Sequence, residues 1–194
     1  MSLKSKQKTS YVPAPAGSHT ATLIALVDCG LQYSERFDNE SERLWVQFEL
    51  PHERMEDDRP YTIGAIMANS LNEKAGFRKV AEALLGRALK SNELGGLELG
   101  PLLGKSCLIS ITHKEADGKT RAKIDSAMPL PKGTTVGAPH NPLVAYDLDD
   151  PDEAVFEKLP EHVRELIEKR IRYGTAKKKA VEPESATADE AIPY

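Results

Sequence analysis

Leu44-Trp45-Val46-Gln47-Phe48-Glu49-Leu50 places Leu44, Val46, Phe48 and Leu50 on one side and Trp45, Gln47 and Glu49 on the other. This is the period-two pattern of a β-strand with one face in a core. Polar stretches flank it, so loops are expected over Tyr33 to Arg43 and over the proline-bounded Pro51 to Pro60. Upstream, His19 to Gln32 is rich in Thr, Leu, Ile and Val and reads as a first strand. Downstream, Tyr61, Ile63, Ala65 and Met67 alternate in a third, Tyr61 to Ala68. Ser70 and Glu73 have capping-box spacing, which predicts a helix carrying Phe77, Val80, Ala81, Leu84 and Ala88 as its apolar stripe and ending near Lys90.

Beyond a glycine-rich connector, Gly95 to Gly104, the β-rich runs Ser106 to Thr112 and Lys119 to Ala127 flank Asp117-Gly118, a strong hairpin turn signal. Three strands, a helix and a closing hairpin are the element order of an OB-fold, a five-stranded Greek-key barrel with its helix between strands three and four. The expected class is therefore mainly β with helices, OB-fold-like; another small barrel or an open α+β sheet is the alternative. Residues 1–18 lack hydrophobic periodicity and read as a flexible basic arm, leaving 19–132 as the barrel domain. In 133–173, Asn141 to Tyr146 is a short apolar segment suited to packing on the barrel. Pro151 with Asp152 and Glu153 marks a helix start, and Val163, Leu166, Ile167 and Ile171 form a stripe over Glu161 to Tyr173. Residues 174–194 have no packing pattern and are expected to be a disordered acidic tail.

The chain has 194 residues, 29% of them charged, and a formal net charge of -4. Such a charge counts against phosphate binding until it is resolved along the chain. Lys4, Lys6 and Lys8 make the start basic, and Lys105, Lys114, Lys119, Arg121, Lys123 and Lys132 outnumber Glu115, Asp117 and Asp125. Acid gathers at Asp147, Asp149, Asp150, Asp152 and Glu153 and again at Glu182, Glu184, Asp189 and Glu190. A basic body with acidic C-terminal segments fits better than a uniformly acidic protein. Cys29 and Cys107 lie in apolar runs and suit buried thiols in a reducing compartment. No run approaches the ~20 apolar residues of a membrane span, and Met1 to Tyr11 has no signal-type core. A cytoplasmic, membrane-free protein is expected.

Catalysis has little support. His19, His52, His113, His140 and His162 are scattered without metal-ligand spacing, and Gly104-Lys105-Ser106 lacks the earlier glycine of a phosphate loop. The acids from Asp147 to Glu153 read more simply as a helix start than as a Mg²⁺ site. No enzyme activity, cofactor or metal is expected.

The end of the chain is more specific. Asp189-Glu190-Ala191-Ile192-Pro193-Tyr194 joins acids to an apolar, aromatic tip, which suits a partner pocket combining basic groups with an apolar slot. It resembles the C-terminal tip of bacterial single-stranded DNA-binding proteins, with Ala191 in place of one acid of the usual run. A second resemblance spans most of the chain. Trp45 to Pro51, Tyr61-Thr62-Ile63-Gly64, Ser70 to Ala75, Leu103-Gly104-Lys105 and Asn141-Pro142-Leu143 are similar to a family of phage-encoded proteins described as single-stranded DNA-binding. These resemblances imply an OB-type binder of phage replication or recombination in the host cytoplasm, coating single strands without strong sequence preference. Asp189, Glu190, Ile192, Pro193 and Tyr194 would then dock replication or recombination proteins; homo-oligomerisation stays open. The alternative is a protein-interaction factor, a recombination accessory or DNA-mimicking inhibitor, that does not touch DNA.

Binding a single strand requires cations for its backbone and aromatic faces for its bases. Trp45 is the only tryptophan and falls opposite the core face of its strand, so it is a candidate stacking platform; burial under the C-terminal helices or a loop is the other reading. Arg121 and Lys123 share a strand face, with Lys114 and Lys119 flanking the turn and Lys105 before the hairpin, as a candidate phosphate rim. Tyr33 and Phe37 are candidates for clamping a base from the loop after the first strand.

Overall fold

The computed structural model describes residues 12–35, 38–116 and 118–171. Its strands are β1 (Gly17–Ser34), β2 (Asn39–Arg54), β3 (Pro60–Ala68), β4 (Ser106–Ala116), β5 (Lys119–Met128) and β6 (Val144–Tyr146). The helices are α1 (Gly76–Leu85), α2 (Glu153–Phe156) and α3 (Glu161–Glu168), with a 3₁₀ turn at Gly100–Leu102. The chain is mainly β: antiparallel ladders run β3-β2-β1-β4-β5, and β6 joins β1 in parallel. Among the described residues no ladder closes β3 onto β5, although the two strands touch.

The alternation in β2 directs Leu44, Val46, Phe48 and Leu50 into the main core, beside Leu23, Ile63, Phe77, Val80, Leu84, Ile109 and Ile111. β1 needs both of its faces covered, and a bulge explains how. Ala21 and Leu23 face the main core; past the register shift between Leu23 and Ala25, Leu26 takes that side. Ala25, Val27 and Cys29 then face the other way, into a second core. One extra residue reverses the parity of the side chains that follow it, so the unbroken apolar run Leu23 to Val27 serves two cores.

Residues 139–171 supply the second cover. β6 pairs with Ala25 to Val27, and Leu159, Val163 and Ile167 pack onto Ala25, Val27, Cys29 and Trp45. Three polar ties fasten it. The backbone N–H groups of His140 and Asn141 donate to Glu49 at 2.8 Å each, and Asn141 Nδ2 adds a 2.7 Å bond. Gln32 Nε2 donates to Leu166 O at 2.9 Å, and Ile171 N–H to Leu31 O at 2.8 Å. The helix start expected at Pro151 falls at Glu153: Pro151 stays outside α2 and Asp152 caps it, accepting from Ala154 N at 2.8 Å and Val155 N at 3.2 Å.

Several boundaries differ from expectation. Tyr33 to Arg43 is not a loop: Tyr33 pairs with Glu40 and Ser34 with Asn39, so a polar two-stranded extension carries the hairpin out to a short turn. Ser70 and Glu73 do not form a capping box. Ser70 Oγ instead accepts from Asn72 N–H in a local turn, and α1 starts at Gly76 without a side-chain cap. It stops at Gly86, whose φ of 67° permits a Schellman closure with Gly86 N–H on Ala83 O and Arg87 N–H on Glu82 O. Ala88 therefore lies beyond the helix and is exposed. α3 ends at Glu168, short of Ile171. The expected arm is also shorter than 1–18, because Gly17 and Ser18 begin β1 and Ala14 is buried in the main core.

Candidate functional site

Register turns a scatter of cations into a surface. In the β4–β5 hairpin Lys114 stands directly opposite Arg121, and Thr112 opposite Lys123. Opposed residues of an antiparallel pair share a face, with Cβ atoms about 4.5–5.5 Å apart. Lys119, two residues before Arg121, belongs to that face by alternation. All four cations are exposed. Among the described residues none has a carboxylate within ion-pair distance. Glu115 pairs with Thr120 and so points to the reverse side. Like charges set directly opposite destabilise a ladder, and an anionic ligand reverses that cost.

Lys105 does not join this cluster. It is exposed just before β4, where its carbonyl accepts from Leu23 N–H, nine residues from Lys114. At the rise of a strand that is ~30 Å away.

Trp45 is placed differently from the open platform its alternation allowed. It is 3% exposed, with Leu159, Val163 and Ile167 over it and His162 edge-on at a centroid distance of 6.3 Å. Gly64 on β3 lies beneath; a Cβ there would fall 2.8 Å from Trp45 Nε1. The indole is a core side chain of the second cluster. Its strand face was legible from alternation, whereas the cover comes from residues more than a hundred positions later.

Tyr33 is exposed, and its hydroxyl donates to Asp38 at 2.6 Å. That bond, with the charges of Asp38, Glu35 and Glu40, pushes its phenol pKa up. The ring thus stands in an acidic setting, at the opposite end of β1 from the β4–β5 turn. Phe37 lies outside the described residues, as do Asp189, Glu190, Ile192, Pro193 and Tyr194.

A cleft of about 550 Å³ beside the C-terminal cover is lined by Asp28, Glu42, Asp149 and Arg170, and Asp147 lies in the adjoining hollow with Asp28. Burial raises the Asp28 carboxyl; the Gly30 N–H lowers it, and Asp147, Glu42 and Asp149 raise it further. Among the described residues no three His, Cys, Asp or Glu side chains converge on a position for a metal ion. Both thiols are buried, and burial pushes Cys29 and Cys107 up to about 12, far from a reactive thiolate. No helix among the described residues is long and apolar enough to cross a membrane.

Composition flagged the basic hairpin, but not that two cations face one another. Glu49 was missed as the anchor of the C-terminal cover; a lone acid in an apolar strand was its only signal. No protein-family model matches the chain, and no curated protein matches it in sequence.

Proposed function

We propose that this chain is a nucleic-acid-binding protein whose β4–β5 hairpin grips phosphates. More particularly, it is a single-stranded DNA-binding protein of phage replication or recombination, working in the host cytoplasm and recruiting partners through Asp189 to Tyr194. The observation that carries this reading is the exposed face of Lys114, Arg121, Lys119 and Lys123, with Lys114 directly opposite Arg121. A two-stranded ribbon with four cations on one side offers a track for a phosphate backbone.

The strand arrangement supports the OB-type part. β1 lies between β2 and β4, the path ends β3 and β5 touch, and α1 packs on β3, β4 and β5. These are the neighbour relations of a partly open five-stranded barrel with its helix between strands three and four. With Trp45 inside the second core, affinity comes from phosphate contacts rather than from stacking on the indole. Intrinsic tryptophan emission should therefore stay unquenched on titration with DNA.

The test is anisotropy of a labelled oligothymidylate across a salt series, against a duplex of equal length. Binding should favour the single strand and weaken steeply with salt, each phosphate contact contributing about 0.7 to the logarithmic slope. Lys114→Ala with Arg121→Ala should lower that slope by about 1.4. An unchanged slope, or equal affinity for duplex, would overturn the reading; absence of oligonucleotide binding would favour the protein-interaction alternative.

A further inference from the structure

We propose that bases of the bound single strand rest on an apolar shelf made by Leu108 and Met128, at the end of the β4–β5 ribbon away from its cationic tip. Resting on the DNA-binding reading above, this places the strand's phosphates on the tip and its bases on the shelf.

A bulge in β5 creates the shelf. Lys119, Arg121 and Lys123 face outward, while Ala122 and Ile124 pack on the main core. Continued without interruption, that alternation would turn Ser126 and Met128 inward with Ile124. The register shifts instead: Ile111 pairs with Ile124 but Ser110 with Ser126, which leaves Asp125 as the extra residue. Beyond it Ala127 takes the core side, and Met128, directly opposite Leu108, is turned to the side of the cations. Met128 is 49% exposed, and the half-buried Leu108 packs against neither core.

Along β4, Cys107, Ile109 and Ile111 are buried in the main core, so Leu108, Ser110, Thr112 and Lys114 share the outer face. From the tip inward this face carries cations, then the hydroxyls of Thr112, Ser110 and Ser126, then the shelf, over ~20 Å from Lys114 to Leu108. Beyond the shelf the face closes. Thr22 Oγ1 and Ser106 Oγ lie 2.8 Å apart, and Thr22 stands opposite Glu49, which holds residues 140 and 141. The open strip therefore has one charged end and one apolar end.

A polyanion with free base faces matches both ends. The cations meet its phosphates, and the polarisable thioether of Met128 makes favourable contacts with an aromatic ring. A duplex stacks its bases on one another and offers the shelf no free face, so the shelf favours single strands. A second copy docked through the same face would bury the cations of both protomers together.

The experiment uses the full chain, Met128→Ala and Met128→Trp, titrated across salt with labelled oligothymidylate and with an abasic strand of equal length, while thermal unfolding and sedimentation are followed alongside. Met128→Ala should weaken oligothymidylate binding by about 2- to 12-fold at every salt concentration, with the parental logarithmic slope. Its binding of the abasic strand should match the parent's. Met128→Trp should bind oligothymidylate more tightly than the parent, and its added emission should be quenched by the DNA, although that of Trp45 is not. A folded Met128→Ala with parental affinity would overturn the proposal, and so would an equal loss on the abasic strand or unquenched emission in Met128→Trp. A parent that self-associates and becomes monomeric in Met128→Ala would also overturn it, giving the shelf to a second copy. Parental affinity in Met128→Ala beside a reduced salt slope in Lys114→Ala/Arg121→Ala would remove this inference alone; a parent chain that binds no oligonucleotide would remove the hairpin reading with it.

Discussion

Glu49 is a carboxylate almost wholly withdrawn from water, tolerable because three N–H donors from residues 140 and 141 converge on it. Glu49→Gln keeps the shape but brings an NH₂ group against donors and discards the charge. It should cost about 1–3 kcal/mol, read as a lower urea midpoint with an unchanged m-value. Asp28 has the opposite effect on stability. Its carboxyl is raised from 3.8 by burial, against the Gly30 N–H, and further by Asp147, Glu42 and Asp149. A raised carboxyl binds its proton more tightly in the folded state, so its favourable contribution is complete below the unfolded value. That contribution is lost as pH climbs through the raised native value. Asp28→Asn should therefore raise the melting temperature at pH 7 and flatten its decline between acid and neutral pH; an equal or lower melting temperature at pH 7 would contradict this.

At the scale of elements, the β4–β5 hairpin sets stability against binding. Removing the opposed like charges with Lys114→Ala/Arg121→Ala should leave the fold unharmed or stabilise it by about 0.2–1 kcal/mol, measured by thermal unfolding, while oligonucleotide affinity falls. A destabilised double variant would mean that the pair is structural. Alternation along β5 was enough to place Arg121 and Lys123 together, because a strand's period is a local property. The opposition of Lys114 and Arg121 needed the register, which the turn and the cross-strand pairing set between them. The same limit explains α1. Ser70 and Glu73 carry a helix-start signal, but packing of Phe77, Val80 and Leu84 placed the helix at Gly76, and Gly86 ended it through a local backbone preference.

Over the whole molecule, two cores lie back to back on β1 and β2, sharing strands but, among the described residues, no side chain. Shared strands mean that neither core survives loss of the other. Trp45 emission and far-UV circular dichroism should lose their native signals at one urea concentration, and separated midpoints would show that the C-terminal cover opens independently. Ile167→Ala, a cavity in that cover, should lower both midpoints together by about 2–5 kcal/mol in stability.

Strand alternation, the Asp117-Gly118 turn signal and the clustering of charge are properties of neighbouring residues, and they made the β-rich element order, the inward face of β2 and the basic hairpin readable from the chain alone. Burial of Trp45 and Glu49, the opposition of Lys114 and Arg121, and the seating of Ala14 join residues separated by anything from seven to more than a hundred positions. The bulge after Leu23 turns Ala25, Val27 and Cys29 outward, and packing of β6 and α3 on that face closes Trp45 off from solvent. An indole on the outer face of a strand satisfies the local pattern equally well bare or covered; the apolar surface of α3 selected the covered state.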